Sequence, residues 1–407
     1  MTTARCPLPV LLPTMLLALL LPAGLEASES SDDRARIEAL LREGVEWNYE
    51  GDLDAADRVW ARFQEQYPQH PAGPTFASST LSLRQALDQS GEYDERIERA
   101  IDETFARANA RLEVDPNDAR ALLYRGQAYL QKAGSELNHE NFLAAGKAAK
   151  KARKDLERAL ELDPELHDAR YPLGLYYYYT GIMPRLVKLF SWLWFIPKGD
   201  RELGLQYLHE AQEQAPLFNN DASFMLMAVN TSFEEDGTTE ALEIARELNA
   251  RYPRNTLLHS QLIGVLTVLE NWNEVIEETR KLEAGTGTYL HDEAMRTTAP
   301  IWRAYAELEL GHTQTAWETL SVFDGEEPQK PPSAYAWLCV IRGYVLDVMG
   351  KREEAIVEYE RILALEPPRI DPEVIAEAKA AVKKAFTVET PPTVSAAADE
   401  SISDRIE

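Results

Sequence analysis

The sequence predicts an all-α fold, an α-α superhelix of about eight helix pairs that ends in a C-terminal capping helix. Two observations carry this prediction. One pattern of small residues, large apolar residues and closing prolines returns at matching offsets between residues 33 and 367. No segment shows the two-residue alternation of a β-strand. The 407 residues are 45% hydrophobic and 27% charged, which is ordinary for a globular chain and excludes disorder over its whole length.

The pattern is clearest near the C-terminus. Gly343 and Ala355 are small enough to let two antiparallel helices approach closely, and Tyr359 and Ile362 fill the gap to the next pair. Pro367 stops the second helix. This register resembles the tetratricopeptide repeat (TPR), a helix–turn–helix of about 34 residues. The resemblance implies a helical solenoid that binds extended peptides or helices on its concave face.

Seven further copies of the register precede this one. Five end at a proline and two are degenerate: Pro68, Pro116, Pro164, Pro216, Pro253, 255–283 and 297–323. The intervals from Pro116 to Pro164 and from Pro164 to Pro216 exceed the usual repeat length, so we expect insertions near 132–151 and 182–200. The first insertion is rich in lysine and predicts a basic helical extension. A last helix over 373–386 is expected to cap the array, because the final pair would otherwise expose its apolar face.

The first 27 residues have the three-part form of a secretory signal peptide. Arg5 precedes an apolar run over 8–21, and small residues follow up to Ala27, where we expect cleavage. The apolar run is shorter than the ~20 residues that span a bilayer. The sequence therefore predicts export to the periplasm or cell envelope, a TPR solenoid over 33–387, and a disordered acidic tail over 388–407.

Charge and missing motifs exclude several function classes. Acidic residues outnumber basic ones 68 to 42, a net charge of −26, which argues against nucleic acid as the main partner. The residue four positions after His209 is Glu213, so the two-histidine zinc motif fails. Cys339 stands among apolar residues and is predicted to pack in the core. We therefore expect no enzyme activity, no catalytic residue, no metal and no cofactor.

The concave face of the predicted solenoid supplies the candidate binding residues. In TPR proteins this face is lined by the first helix of each pair. Tyrosines and amides suit a peptide there, because they combine broad contact with adaptable hydrogen bonds. In this register the predicted partner-binding residues are Arg120, Gln127, Gln131, Tyr171, Tyr178, Tyr179, Met227 and Asn230. The run 176–179 is all tyrosine and cannot face one way on a helix, so about half of it must be core.

The second insertion contains a strongly apolar stretch, 182–196, whose only charges are positive. As a helix it would reach about 22 Å, too short for a ~30 Å hydrocarbon core. Three alternatives stay open: packing in the protein's own groove, an interfacial membrane position, and a patch for a partner protein. The residues expected to make the membrane or other hydrophobic contact are Leu186, Phe190, Trp192, Leu193, Trp194 and Phe195.

A local resemblance covers 182–205. The apolar stretch is followed by Gly-Asp-Arg-x-x-Gly-Leu at 199–205. This order is similar to the pattern in a family of TPR proteins linked with mitochondrial outer-membrane and inclusion-body clearance functions. The resemblance implies a built-in hydrophobic element near the groove and implies no activity.

Taken together, the sequence predicts an exported TPR scaffold or adaptor that binds a protein or peptide in its concave groove. The apolar insertion either shapes that groove or makes peripheral contact with a membrane. The alternative is a carrier in which aromatic residues of 171–196 enclose a lipid or other apolar ligand. A closed apolar cavity beside 171–196 would favour the carrier, and a filled core would favour the scaffold.

Overall fold

A computed structural model describes residues 31–88, 91–139, 141–182, 199–234, 236–285, 292–323, 332–364 and 372–388. The chain divides into two compact units, Met1–Ala39 and Leu40–Glu407. In the first unit the described residues form the first half of helix α1. The second unit holds the rest of α1 and all of the later helices, and every contact reported below lies within it.

Seventeen α-helices make up the described part of the chain. They are α1 (Ser31–Glu50), α2 (Leu53–Gln66), α3 (Ala72–Asp88), α4 (Asp94–Val114), α5 (Ala119–Asn138), α6 (Phe142–Leu162), α7 (Arg170–Ile182), α8 (Arg201–Gln214), α9 (Asn219–Ser232), α10 (Thr238–Arg251), α11 (Thr256–Val268), α12 (Trp272–Ala284), α13 (Asp292–Glu309), α14 (Thr313–Leu320), α15 (Pro332–Val348), α16 (Arg352–Leu363) and α17 (Pro372–Lys383). No strand occurs in these ranges.

The helices form eight consecutive pairs, α1–α2 to α15–α16, followed by α17. In four of the pairs, a glycine of the first helix meets a large side chain of the second. A Cβ atom at Gly44 would lie 2.2 Å from the Trp60 ring, and one at Gly343 would lie 2.2 Å from the Tyr359 ring. These are the close approaches that the repeat pattern predicts. The structure therefore confirms the all-α, TPR-like fold.

The last helix covers the end of the array as predicted. Val374 of α17 is fully buried in the C-terminal core cluster. Beneath α17 the side chain of Asp347 is wholly buried and forms an ion pair with Arg352 at 2.9 Å. It also accepts hydrogen bonds from the Tyr359 hydroxyl and the Phe386 amide, each at 2.9 Å. The carboxylate thus ties α15, α16 and the chain after α17 together.

One further prediction is confirmed by the described residues: Cys339 is fully buried in the C-terminal core, so it is a packing residue. The predicted basic insertion lies on α5 and α6, which run for 20 and 21 residues, against 17 and 21 for α3 and α4. Its interpretation as an insertion stays a prediction.

Three predicted features lie outside the described residues: the signal peptide over 1–27, residues 183–198 of the apolar insertion, and the tail from 389 onward. Their predictions stay predictions. Among the helices that the structure describes, none combines the length and the apolar character needed to cross a bilayer.

Candidate functional site

An open groove runs over the first helices of three successive pairs, α11, α13 and α15. We call it the repeat groove. It encloses about 430 Å³ and is closed on one side by the end of α3. Its lining residues are Ala86, Leu87, Leu257, Ser260, Gln261, Ile263, Gly264, Thr267, Val268, Thr298, Ile301, Trp302, Ser333, Ala334 and Trp337. A surface shared by consecutive first helices is where a helical-repeat protein presents a binding face.

The lining of the repeat groove is apolar with a few neutral polar groups. None of the lining residues carries an ionisable side chain. Trp302 and Trp337 are half-buried, and their ring centroids lie 5.2 Å apart at an interplanar angle of 50°. Such a pair offers a broad flat contact for an apolar side chain. Hydroxyls such as Ser260 and Ser333 can fix the orientation of a bound chain by hydrogen bonds.

Gly264 keeps the groove open on the side of α11. It is exposed, and a Cβ atom built there would meet no other atom within 4 Å. The opposite side of α11 is anchored in the core by Leu258, Leu262, Val265 and Leu266. The helix is therefore held firmly while its groove-facing surface lacks a side chain at the centre.

A tyrosine–carboxylate cluster lies on α13 and α15 outside the lining of the repeat groove. Tyr305 follows Trp302 by three residues on α13 and does not line the groove. Burial, with the charge of Glu309 and a hydrogen bond to it, raises the pKa of Tyr305, so the phenol stays protonated. The Tyr344 hydroxyl donates a hydrogen bond to Glu377, and the rings of Tyr305 and Tyr344 lie 6.3 Å apart. The cluster therefore holds two carboxylates next to the tyrosines.

The residues predicted from the register lie elsewhere, on α5, α7 and α9. Four of them are buried: Gln127, Tyr178, Met227 and Asn230. The Tyr178 hydroxyl donates a hydrogen bond to Glu234 at 2.7 Å, so the buried tyrosine keeps a partner for its polar group. Gln127 Oε1 and Asn230 Nδ2 have no hydrogen-bond partner among the described residues.

The other four predicted residues keep some exposure. Tyr179 is the most exposed at 41%, and its hydroxyl lies 3.4 Å from Met225 Sδ. Gln131 accepts a hydrogen bond from Ser78 at 3.0 Å. Arg120 and Tyr171 are partly buried. The division of the tyrosine run into buried Tyr178 and exposed Tyr179 agrees with the expectation that half of it is core.

Contacts from α1 close the inner face in this part of the array. The Tyr252 hydroxyl donates to Glu46 at 3.2 Å, and Asn255 Nδ2 donates to the Tyr49 carbonyl at 2.8 Å. The rings of Tyr49 and Tyr252 are 5.5 Å apart, and the Tyr49 hydroxyl is hydrogen-bonded to Asp221. We call Glu46, Tyr49, Asp221, Tyr252 and Asn255 the inner latch. It joins the first pair to the ninth, tenth and eleventh helices.

Aromatic stacking fills the space beside the inner latch. Phe218 stacks on Phe76 from one side and on Tyr171 from the other, with ring centroids 5.5 Å apart in both cases. Burial raises the pKa of Asp221 to about 7, and the nearby charge of Asp168 adds to the effect. The chain's own side chains thus occupy much of the surface where the register places a partner.

The repeat groove and the predicted binding residues lie on different helices. The groove is lined by α11, α13 and α15, and the predicted residues lie on α5, α7 and α9. None of the eight predicted residues lines the groove, so their contact with a partner stays a prediction. The six residues expected to make hydrophobic contact, between Leu186 and Phe195, lie outside the described residues.

Sequence reasoning missed Trp302, Trp337 and Gly264. A signal was present, since the copies over 255–283 and 297–323 were degenerate. A glycine in the middle of an otherwise apolar first helix, followed by tryptophans in the next two first helices, marks a face that is not used for packing within the pair.

Fold and site together define a TPR-like helical-repeat protein with an open groove over α11, α13 and α15. The sequence matches no protein-family profile and no curated protein. It is similar to a tetratricopeptide repeat protein of known crystal structure from Parabacteroides merdae ATCC 43184, with 16% identity over 86% of this chain and 99% of that one, at a TM-score of 0.29. At that score the superposition is loose, and the fold assignment rests on the helix pairing above. No cluster of three or more metal-ligating side chains occurs in the described ranges.

Proposed function

We propose that this chain is a non-catalytic docking protein that binds an apolar segment of a partner protein in the repeat groove. The observation that carries the proposal is the continuity of the groove over α11, α13 and α15. A surface built from three consecutive pairs can contact several residues of one bound segment. The neutral lining provides no acid, base or nucleophile beyond hydroxyls, which supports a binding role.

The chemistry of the groove specifies the segment. Trp302 and Trp337 supply an aromatic anchor site for one or two large apolar side chains of the partner. Beyond them, the carboxylates of Glu309 and Glu377 attract a positive charge. The preferred partner segment therefore carries an aromatic or aliphatic anchor followed by a lysine or arginine.

We also propose that the protein acts in the cell envelope after export. Arg5, the apolar run over 8–21 and the small residues up to Ala27 support this location. The test is N-terminal sequencing of the protein recovered from the cells that produce it. Export with cleavage predicts a first residue of Ser28, while an intact Met1 in the mature protein would contradict it.

Site-specific photocrosslinking tests the docking function. A benzophenone amino acid is placed at Gly264, where the structure leaves open space. The matched control is the same amino acid at Val357 of α16, whose side chain is 52% exposed and does not line the groove. Irradiation of producing cells should give a protein adduct from position 264 and none from position 357. Mass spectrometry then identifies the crosslinked peptide.

Direct binding completes the test. The synthetic peptide should bind the wild-type chain and the Val357→Trp variant equally, and bind Gly264→Trp at least about tenfold more weakly, since the new ring fills the groove. Equal binding by all three proteins would remove the groove from the proposal. An adduct whose added mass is a lipid or another small molecule would instead favour the carrier function.

A further inference from the structure

The α5–α6 pair is longer than the pair that follows it. Helices α5 and α6 have 20 and 21 residues, and α7 and α8 have 13 and 14. We call residues 132–139 and 141–154 the hairpin tip. It lies on helices that do not line the repeat groove.

A self-contained helical hairpin buries its large apolar side chains between the two helices, whereas the hairpin tip exposes them. Its buried seam consists of small side chains: Ala133, Ala145 and Ala148. Its large apolar side chains face outward, with exposures of 46% for Leu137, 53% for Phe142 and 45% for Leu143. Exposed apolar side chains that gather at one end of an element mark an interaction site.

A row of lysines continues from this apolar end along α6. Lys147, Lys150 and Lys154 are spaced three and four residues apart, so they share one face of the helix. All three are exposed, as is Lys132 on α5, and none of the four forms an ion pair with a described residue. In a chain with a net charge of −26, this concentration of unpaired positive charge is local and distinctive.

We propose that the hairpin tip docks on an anionic lipid membrane. Phe142 and Leu143 would enter the boundary between headgroups and acyl chains, and the lysines would lie against the phosphates. The phosphates of an anionic membrane attract a basic face, and the acyl boundary accommodates the bulky apolar side chains at the end of that face. The lysines alone would suit a nucleic acid, but that partner gives no reason for the exposed Phe142 and Leu143. The surface is separate from the repeat groove, so the two proposals can fail independently.

Vesicle flotation of the full chain tests the proposal. The probes are vesicles of phosphatidylcholine alone and of phosphatidylcholine with about a third phosphatidylglycerol, at low and at high salt. The test variants are K147Q/K150Q and F142S/L143S. The matched controls are K379Q/K383Q on α17, which removes two exposed lysines, and V357S on α16, which removes an apolar side chain that is 52% exposed.

The expected result is binding to the anionic vesicles that high salt weakens. Loss of two lysines should reduce partitioning about 30-fold, and loss of the two apolar side chains at least about tenfold. The controls should bind like the wild type. All proteins share every other apolar segment, so equal binding by the wild type and both test variants would overturn the proposal. Absence of wild-type binding, or equal losses in the controls, would overturn it as well. Salt-sensitive binding to duplex DNA that depends on the lysines and not on Phe142 and Leu143 would assign the surface to a polyanion instead.

Discussion

The inner latch holds Asp221 where its negative charge costs free energy. Burial raises its pKa to about 7 from an ordinary 3.8. The folded protein therefore keeps a proton that the unfolded chain releases above about pH 4. The stabilisation that this retained proton gives the folded state is fully present below the pKa of Asp221 in the unfolded chain. It is lost as the pH rises to about 7. Asp221→Asn keeps the shape of the side chain and has no proton to release, so it should remove this pH dependence.

The size of the effect follows from the shift. About three pKa units correspond to at most about 4 kcal/mol. Asp221 keeps partial access to solvent, and screening lowers the expected value to about 2 kcal/mol. We therefore expect the free energy of unfolding of D221N, measured relative to wild type, to rise by about 2 kcal/mol between about pH 5 and about pH 8.

Urea titrations followed by far-ultraviolet circular dichroism measure this difference. The control is Asp102→Asn, which neutralises an exposed carboxylate on α4 outside the inner latch. The difference in free energy of unfolding between D102N and the wild type should change by much less over the same pH range. A D221N difference that is constant with pH, or that D102N reproduces, would refute the assignment of the pH dependence to the latch.

Three other substitutions separate packing, open space and a buried ion pair. Gly343→Ala should lower the free energy of unfolding by about 2 kcal/mol, because the new methyl group would lie 2.2 Å from the Tyr359 ring. Gly264→Ala should raise it by up to about 1 kcal/mol, since a Cβ there meets nothing and alanine favours a helix; a loss of stability would contradict the open groove. Asp347→Ala should cost about 2 to 3 kcal/mol, because it leaves the Tyr359 hydroxyl without its buried acceptor and removes the ion pair with Arg352. Denaturant midpoints of the four proteins, with the wild type as reference, check all three values.

The helix pairs were predictable because the contacts that define them are local. Gly343 and Tyr359 are 16 positions apart and meet within one pair, so their spacing is visible in the sequence. The capping helix follows from the same logic, since an array must end on a covered face.

The open site was not predictable, because its position depends on contacts between distant residues. Asn255 and Tyr49 are 206 positions apart in the sequence and form a hydrogen bond, and no repeat pattern predicts that contact. Position within the motif identifies which residues point inward, but it does not tell whether the space they face is already filled. Tyr178 and Asn230 therefore matched the motif and still proved to be buried.

The inner face divides into two parts with opposite chemistry. Around the inner latch it is filled, polar and titratable, with Asp221 poised near neutral pH. Along the repeat groove it is open, apolar and without an ionisable lining side chain. A bound apolar segment should therefore hold its affinity for the groove as the pH changes, while the stability of the protein shifts. A partner whose affinity followed the titration of Asp221 would have to contact the latch, which the D221N variant would reveal by abolishing that dependence.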